Sequence, residues 1–369
     1  MQVTSLSGFH AIVPAGGAGT RLWPLSRSGR PKFLLDITGA GRSLLQQTWD
    51  RLLPLTGASG VLVVTGRSHV EAVAEQLPEL PQANLLAEPS PRDSAAAICL
   101  AAAVVVSRDP DAVVGSFAAD HVIQDVPALH AAIVEAVAAA RDGYVVTIGI
   151  APTRPSTAFG YVRLGEALGV AGAPSALAVE AFVEKPDAAT ARAYLADGRH
   201  RWNAGMFISR ADVLLEELSR SRPELHAGLL EIAAAWDTPE RDDALGRAWP
   251  DLERVAIDYA VAEPAAARGR VAVVPADLGW DDVGDFASLA GLLNGSGPLQ
   301  VLGDDAQVLA VDAGGLAVAA GGRLVAVLGL EDVMVVDTPD ALLITTRDRA
   351  QQVKGVVDRL RATGRGDLL

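Results

Sequence analysis

The stretch HAIVPAGGAGTRLWPLSRSGRPK, residues 10–32, reads as a short apolar strand that runs straight into glycines at Gly16, Gly17 and Gly19. A strand followed by glycines brings bare backbone close to a ligand and can aim N–H groups at phosphate oxygens. Two familiar glycine motifs do not fit. A P-loop needs Gly-Lys-Ser/Thr after four intervening residues, which is absent. A dinucleotide fingerprint needs a third glycine where Leu22 stands, and a helix where Trp23-Pro24 stands. What is left is a glycine loop followed by Arg21 and, eleven residues on, Lys32, two cations able to grip a triphosphate. On residue chemistry alone, an ordinary glycine turn with surface cations fits equally well.

Outward from this stretch, short β-branched runs at 10–14, 61–65, 113–117, 145–149, 178–183, 206–209 and 271–275 alternate with helical patterns at 43–53, 68–77, 94–106, 127–141, 188–195 and 211–219. Such alternation predicts a mostly parallel sheet with helices on both faces, whose ligands bind beyond the carboxyl ends of the strands. Residues 294–298, rich in Gly, Ser and Pro, read as a linker. Beyond it, closely spaced runs at 307–311, 316–319, 324–328, 333–336 and 342–345 predict a small all-β module, and 347–360 a closing helix.

The 369 residues exceed one average domain; half are apolar and only 5% aromatic, so Ala, Val and Leu must build the core. A formal charge of −14 argues against nucleic acid or an anionic membrane as partner, and leaves polyanion binding to a pocket with its own cations or a metal. The lone Cys99 excludes an intramolecular disulfide and a four-cysteine zinc site. The amino terminus lacks a basic region before an apolar run, and the longest apolar stretch, 95–106, falls short of the ~18 residues of a membrane span. A soluble, cytoplasmic protein is expected. Lys stands only at 32, 185 and 354, so 28 of the 31 basic residues are Arg, and each surviving Lys marks a place where a compact ammonium suits better than a guanidinium.

The run from Gly16 to Lys32, glycine loop then Arg then Pro-Lys, resembles the amino-terminal motif of sugar-1-phosphate nucleotidyltransferases. Its RLWPLSR wording is similar to the mannose-1-phosphate guanylyltransferases among them. The resemblance implies that Ala15, Gly16, Gly17, Gly19, Thr20, Arg21 and Lys32 hold a nucleoside triphosphate. AEPSPRDSAAAI, 87–98, resembles the family's E-P-x-x-R-N-T-A-P-A-I segment beside the base, with Asp93, Ser94 and Ala96 in place of Asn, Thr and Pro. It implies nucleotide contacts from Glu88, Arg92 and Ser94, while Asp93 or Ser94 read alone caps a helix. FAADH, 117–121, matches the family's P-A-D-H and implies a metal- and nucleotide-binding Asp120; alone, an Asp after a strand is more often a turn residue. Its metal-binding partner by the resemblance is Asp282 in GWDDVGDF, 279–286, matching G-W-x-D-V-G; alternation along the chain does not choose between Asp281 and Asp282. Two carboxylates with phosphate oxygens and waters suit Mg²⁺, with Mn²⁺ as the alternative.

FGYVR, 159–163, FVEKP, 182–186, and WNAGMFI, 202–208, resemble the sugar-phosphate half. They imply Gly160 and Tyr161 against the hexose, Glu184 accepting from hydroxyls, Lys185 on the phosphate and Asn203 reading a hydroxyl pattern. AIDYAVAE, 256–263, resembles S-I-D-Y-A-V-M-E, a helix with Asp258 facing the site.

The implied fold class is α/β: a Rossmann-like, GT-A-like nucleotidyltransferase domain over 1–294, with a mixed sheet flanked by helices, and a small β-helical domain with its closing helix over 295–369. None of the chemical motifs lies in the second domain, which is expected to serve stability and homodimer assembly. The implied reaction transfers GMP from GTP to mannose 1-phosphate, with Arg21, Lys32, Asp120, Lys185 and Asp282 as the catalytic set. A thymidylyl- or uridylyltransferase acting on another hexose 1-phosphate is disfavoured by the RLWPLSR and IDYAV wording. A non-catalytic, sugar-nucleotide-binding subunit is disfavoured because Arg21, Lys32, Asp120 and Asp282 are all present. No stretch resembles the isomerase domain that some bacterial members carry, so a single activity is expected.

Overall fold

The computed structural model describes residues 5–293 and 297–369, so most of the linker read at 294–298 lies outside the described residues. The chain forms two compact units. One comprises the chain up to Ala15, Thr48–Ala119 and Ile123–Trp280; the other comprises Gly16–Gln47, Asp120–Val122 and the chain from Asp281 onward.

The first unit is built on nine strands: β1 (Phe9–Ala15), β2 (Val61–Gly66), β3 (Leu85–Glu88), β4 (Val113–Ser116), β5 (Val145–Ile150), β6 (Tyr161–Ala167), β7 (Leu177–Val183), β8 (His200–Arg210) and β9 (Val271–Pro275). They lie in the order β3-β2-β1-β4-β8-β5-β9-β7-β6. β1 to β4 pair in parallel, whereas β8 runs antiparallel to both β4 and β5, and β6 and β7 pair antiparallel. The sheet is therefore mixed, and the mostly parallel expectation holds for β1–β4 and for the neighbouring β5 and β9 but not for the rest. For β6 and β7 the reason lies in the connection: no helix joins them, and without a helical crossover two consecutive strands can only fold back on each other. Every residue of β5 is buried, as a strand covered on both faces requires. One of the sheet's covers is the helix Asp93–Arg108, buried without a break from Ala95 to Val105. Its many alanines let the backbone lie close to the sheet, which is how a core with few aromatic rings reaches full density.

The carboxyl ends of the strands position the candidate residues. β1 ends at Ala15, β3 at Glu88, and β7 just before Glu184 and Lys185; Asn203 sits within β8.

The second unit carries six short strands: β10 (Leu299–Gly303), β11 (Val308–Val311), β12 (Gly315–Ala319), β13 (Val325–Leu328), β14 (Val333–Asp337) and β15 (Leu342–Thr346). β10, β12 and β14 stack in parallel, β11 and β13 do the same, and β15 closes antiparallel on β14. Successive coils thus add one strand to each face, the geometry of a β-helix. Inward-pointing Leu302, Leu316, Val318, Met334 and Val336 form one core with Val353 and Val357 of the helix Val353–Ala362. Leu22, Trp23, Leu35, Ile37 and Leu44 belong to that same core. The segment that bears the glycine motif is therefore packed with the carboxyl-terminal strands, and compactness does not follow the sequence boundary at 294. Among the described residues no helix is long and apolar enough to cross a membrane.

Candidate functional site

In the second unit the glycine loop is followed by a single 3₁₀ turn, Thr20–Leu22, that fixes the start of Arg21. Gly19 has φ +61°, and a Cβ there would stand 2.7 Å from Lys32 Cβ, so only glycine lets the Lys32 stem lie against the loop. Lys32 is 4% exposed. Its ammonium donates to Asp120 Oδ2 at 2.8 Å and to the backbone carbonyl of Asp282. Burial pushes the Asp120 carboxyl up, but the charge and hydrogen bond of Lys32, with His121, outweigh it and hold the group below its ordinary value. Asp282 is shifted the other way: burial, Asp281 and Asp120 raise it more than Lys32 and Arg21 lower it.

The neighbouring acids Asp281 and Asp282 differ in what their carboxylates do in the turn they form. Asp281 accepts from the Val283 N–H at 2.6 Å and its backbone bridges to Val122, so its carboxylate closes the turn. The Asp282 carboxylate lies in the field of Lys32 and Arg21. The turn between them holds Val283 at φ +44°, a costly conformation for a β-branched residue and of a kind found where function over-determines the backbone.

In the first unit the residues read for the sugar side converge. Thr147 Oγ1 donates to Asn203 Oδ1 at 2.7 Å, as does the Gly205 N–H at 3.0 Å, and Asn203 Nδ2 donates to Asp258 Oδ1 at 2.8 Å. The amide orientation is therefore fixed, and Asn203 is occupied in holding Asp258. Asp258 opens a π-helical turn, Asp258–Ala262, a local insertion common at functional sites. Burial and the charge of Glu184 push its carboxyl up to about 6. Glu184 lies against the bare Cα of Gly160, where a Cβ would stand 2.4 Å from Glu184 Oε2. Lys185, at φ +48°, donates to Glu184 Oε1 and keeps an exposed ammonium. Desolvation works to lower that ammonium, but Glu184 and Asp258 raise it further, so it stays charged.

Tyr161 does not line a ligand surface. It is 0% exposed, its hydroxyl donates to the Ser156 carbonyl at 3.0 Å, and its ring packs on Tyr194. Its place on β6 turns the ring into the core, which the alternation of a strand decides and a motif match does not.

The segment read for the base also divides. Arg92 donates to the carbonyls of Leu252, at 2.9 Å, and Pro250, and Ser94 Oγ accepts from the Ile257 N–H at 2.9 Å. Both side chains tie the helix start to the 250–257 segment and are not turned toward a ligand. Glu88 is different. Its Oε1 is buried without a hydrogen-bond partner, and burial together with Asp93 pushes the carboxyl up to about 7. A carboxyl raised from 4.5 to about 7 keeps its proton in the folded chain where the unfolded chain has lost it, so stability falls as pH rises between those values. Glu88→Gln is therefore expected to match the native thermal midpoint near pH 4 and to exceed it by roughly 2–4 °C at pH 8 in calorimetric scans. Equal midpoints at both pH values would contradict that burial cost.

Sequence reasoning missed Thr147, because a buried Thr on a strand gives no signal.

The sequence pattern of the family described as nucleotidyl transferase matches residues 10–294, and that of the mannose-phosphate isomerase/GMP-like β-helix domain matches 306–360. The chain is 42% identical to the xanthan biosynthesis protein XanB of Xanthomonas campestris pv. campestris, over 98% of this chain and 75% of that protein. It is 39% identical to a mannose-1-phosphate guanylyltransferase of Escherichia coli K12, over 97% of this chain and 75% of that one. A crystal structure from Thermus thermophilus, described as a mannose-1-phosphate geranyltransferase, superimposes with a TM-score of 0.83 at 34% identity, covering 96% of this chain and 99% of the other.

Proposed function

The chain belongs to the nucleotidyl transferase family, and from that premise we propose that it transfers GMP from GTP to mannose 1-phosphate, giving GDP-mannose and pyrophosphate. A phosphate oxygen of mannose 1-phosphate forms the new bond to the α-phosphorus, the bond from that phosphorus to the β-phosphate bridging oxygen breaks, and pyrophosphate leaves with the electron pair. The nucleophile is an anion near neutral pH, so no side chain has to take a proton. The obstacle is repulsion between two anions, and catalysis consists of positioning and charge stabilisation.

The observation that carries this reading is the buried Lys32 ammonium, held between the Asp120 carboxylate and the Asp282 carbonyl close to Arg21. Lys32 and Arg21 neutralise the triphosphate, and the glycine loop offers it backbone N–H groups. Lys185 meets the sugar phosphate. Glu184 and Asp258 accept from hexose hydroxyls, and Asn203 orients Asp258.

Asp120 and Asp282 would hold Mg²⁺, or Mn²⁺. Among the described residues there is no cluster of three or more metal-binding side chains, and a pair of carboxylates fits an ion that takes its remaining ligands from phosphates and water. When bound, the ion would offset charge on the triphosphate and on the departing pyrophosphate. A homodimer is part of the same proposal. It is supported by outward apolar side chains on the short strands, among them Leu328 at 72% and Ile344 at 63% exposure, and light scattering of the full chain tests it.

Pyrophosphate release across nucleotides and hexose 1-phosphates, with and without chelator, tests the reaction. GTP with mannose 1-phosphate and Mg²⁺ is expected to be the fastest combination, and faster turnover with another pair would reassign the substrates. Lys185→Ala is expected to raise KM for mannose 1-phosphate at least ~10-fold, the loss of one charge-assisted contact, with KM for GTP little changed. Equal impairment for both substrates would place Lys185 at the reaction centre instead.

A further inference from the structure

Arg21 Nη1 donates to Gln351 Oε1 at 2.8 Å, a residue 330 positions away that lies in the 3₁₀ turn after β15. Gln351 Nε2 in turn donates to Asp285 Oδ2. A carboxylate only accepts, so the amide nitrogen must face Asp285 and the amide oxygen must face Arg21. Asp285 is itself fixed. It is buried, and its other oxygen accepts from the N–H groups of Ala287 and Ser288, at 2.8 and 2.9 Å, capping the helix Phe286–Leu292. Arg21 has a competing partner close by. A Cβ on Gly284 would stand 3.1 Å from Asp282 Oδ2 and 3.6 Å from both Arg21 Nη atoms, so guanidinium and carboxylate flank the same small gap.

We propose that Gln351 is a positioning residue for Arg21: anchored by Asp285, it holds the guanidinium for the triphosphate and keeps it from closing onto Asp282. The proposal rests on the reading of Arg21 as a triphosphate contact. A neutral amide suits the task because it fixes direction without cancelling charge. A carboxylate at 351 would pair with Arg21, lower its attraction for phosphate and repel Asp285. The carboxyl-terminal module thereby enters the nucleotide half-site through one side chain, although no chemical motif lies within it.

The test compares full-length wild type, Gln351→Met and Gln351→Glu for KM toward GTP, KM toward mannose 1-phosphate, and thermal midpoint. Gln351→Met is expected to raise KM for GTP roughly tenfold, the scale of one hydrogen bond to a charged group, and Gln351→Glu more. KM for mannose 1-phosphate should stay within about twofold in both variants, with the thermal midpoint of Gln351→Met near that of wild type and only that of Gln351→Glu lowered by repulsion from Asp285. A purely structural role would lower the midpoint and leave the two KM values in their native ratio, which overturns the proposal. A fall in KM for GTP would overturn it too, since the contact would then restrain Arg21. Wild type that releases no pyrophosphate from GTP and mannose 1-phosphate sinks the functional reading itself. Wild type that turns over while both variants keep its KM for GTP sinks only the role of Gln351.

Discussion

Lys32→Met lowers kcat at saturating GTP by ~10²–10³-fold, the cost typical of removing one preorganised charge at a site of developing negative charge. The Met side chain keeps the apolar stem that Gly19 accommodates and removes only the ammonium. That ammonium belongs to a residue 4% exposed and is bonded to Asp120 at 2.8 Å, so no water or nearby lysine replaces it. Lys32→Arg is expected to fail comparably. The planar fork is longer and wider, and the space between Asp120 and the Asp282 carbonyl is occupied by a single donor atom. Initial rates of pyrophosphate release, with far-ultraviolet circular dichroism to verify the fold, decide it. A kcat within about threefold of wild type in Lys32→Met would remove the ammonium from the mechanism.

The parts legible in sequence were those with local signals. The parallel half of the sheet announced itself through β-branched runs, and strands β1, β2, β4, β5, β7 and β9 lie where those runs lie. β8 extends over His200–Arg210, yet only its last four or five residues look like a strand, because Asn203 and Gly205 interrupt the apolar run for the sake of Asp258. β3 is short and β6 is buried only at its start, and their pairing partners, which a sequence window does not contain, make them strands. Within the candidate site, the charged residues that the resemblance picks out at Lys32, Asp120 and Asp282 lie together in the fold. Arg92, Ser94 and Tyr161 sit in matching motifs too, but their side chains are occupied by backbone partners or by the core. A motif fixes where the chain passes; the hydrogen-bond partners that use up a side chain come from elsewhere in the fold.

A chain ending at residue 294 is expected to be inactive and largely insoluble, a stronger outcome than loss of assembly alone. The boundary looks safe in sequence because every motif precedes it. The structure makes it unsafe, since Leu22, Trp23, Leu35, Ile37 and Leu44 share a core with Leu302, Leu316, Val318, Met334 and Val336. Five large side chains returned to water at ~2 kcal/mol each amount to on the order of 10 kcal/mol, comparable with the whole stability of a domain. The Val122, Val283 and Phe286 members of that core remain in the shortened chain and cover part of this surface, so the loss falls short of the full sum. The remaining cost falls on the segment that places Arg21 and Lys32, and the Trp23 Nε1 bond to the Leu368 carbonyl at 2.7 Å disappears with it. The glycine loop then has no fixed platform, and an electrostatic site without preorganisation loses most of its effect. Sedimentation of the expressed protein, pyrophosphate release by any soluble fraction, and limited proteolysis between residues 16 and 47 measure the three consequences. A soluble truncated chain that retains more than about a tenth of wild-type kcat/KM would show that the loop holds its shape without the β-helix, and that the shared core is dispensable for catalysis.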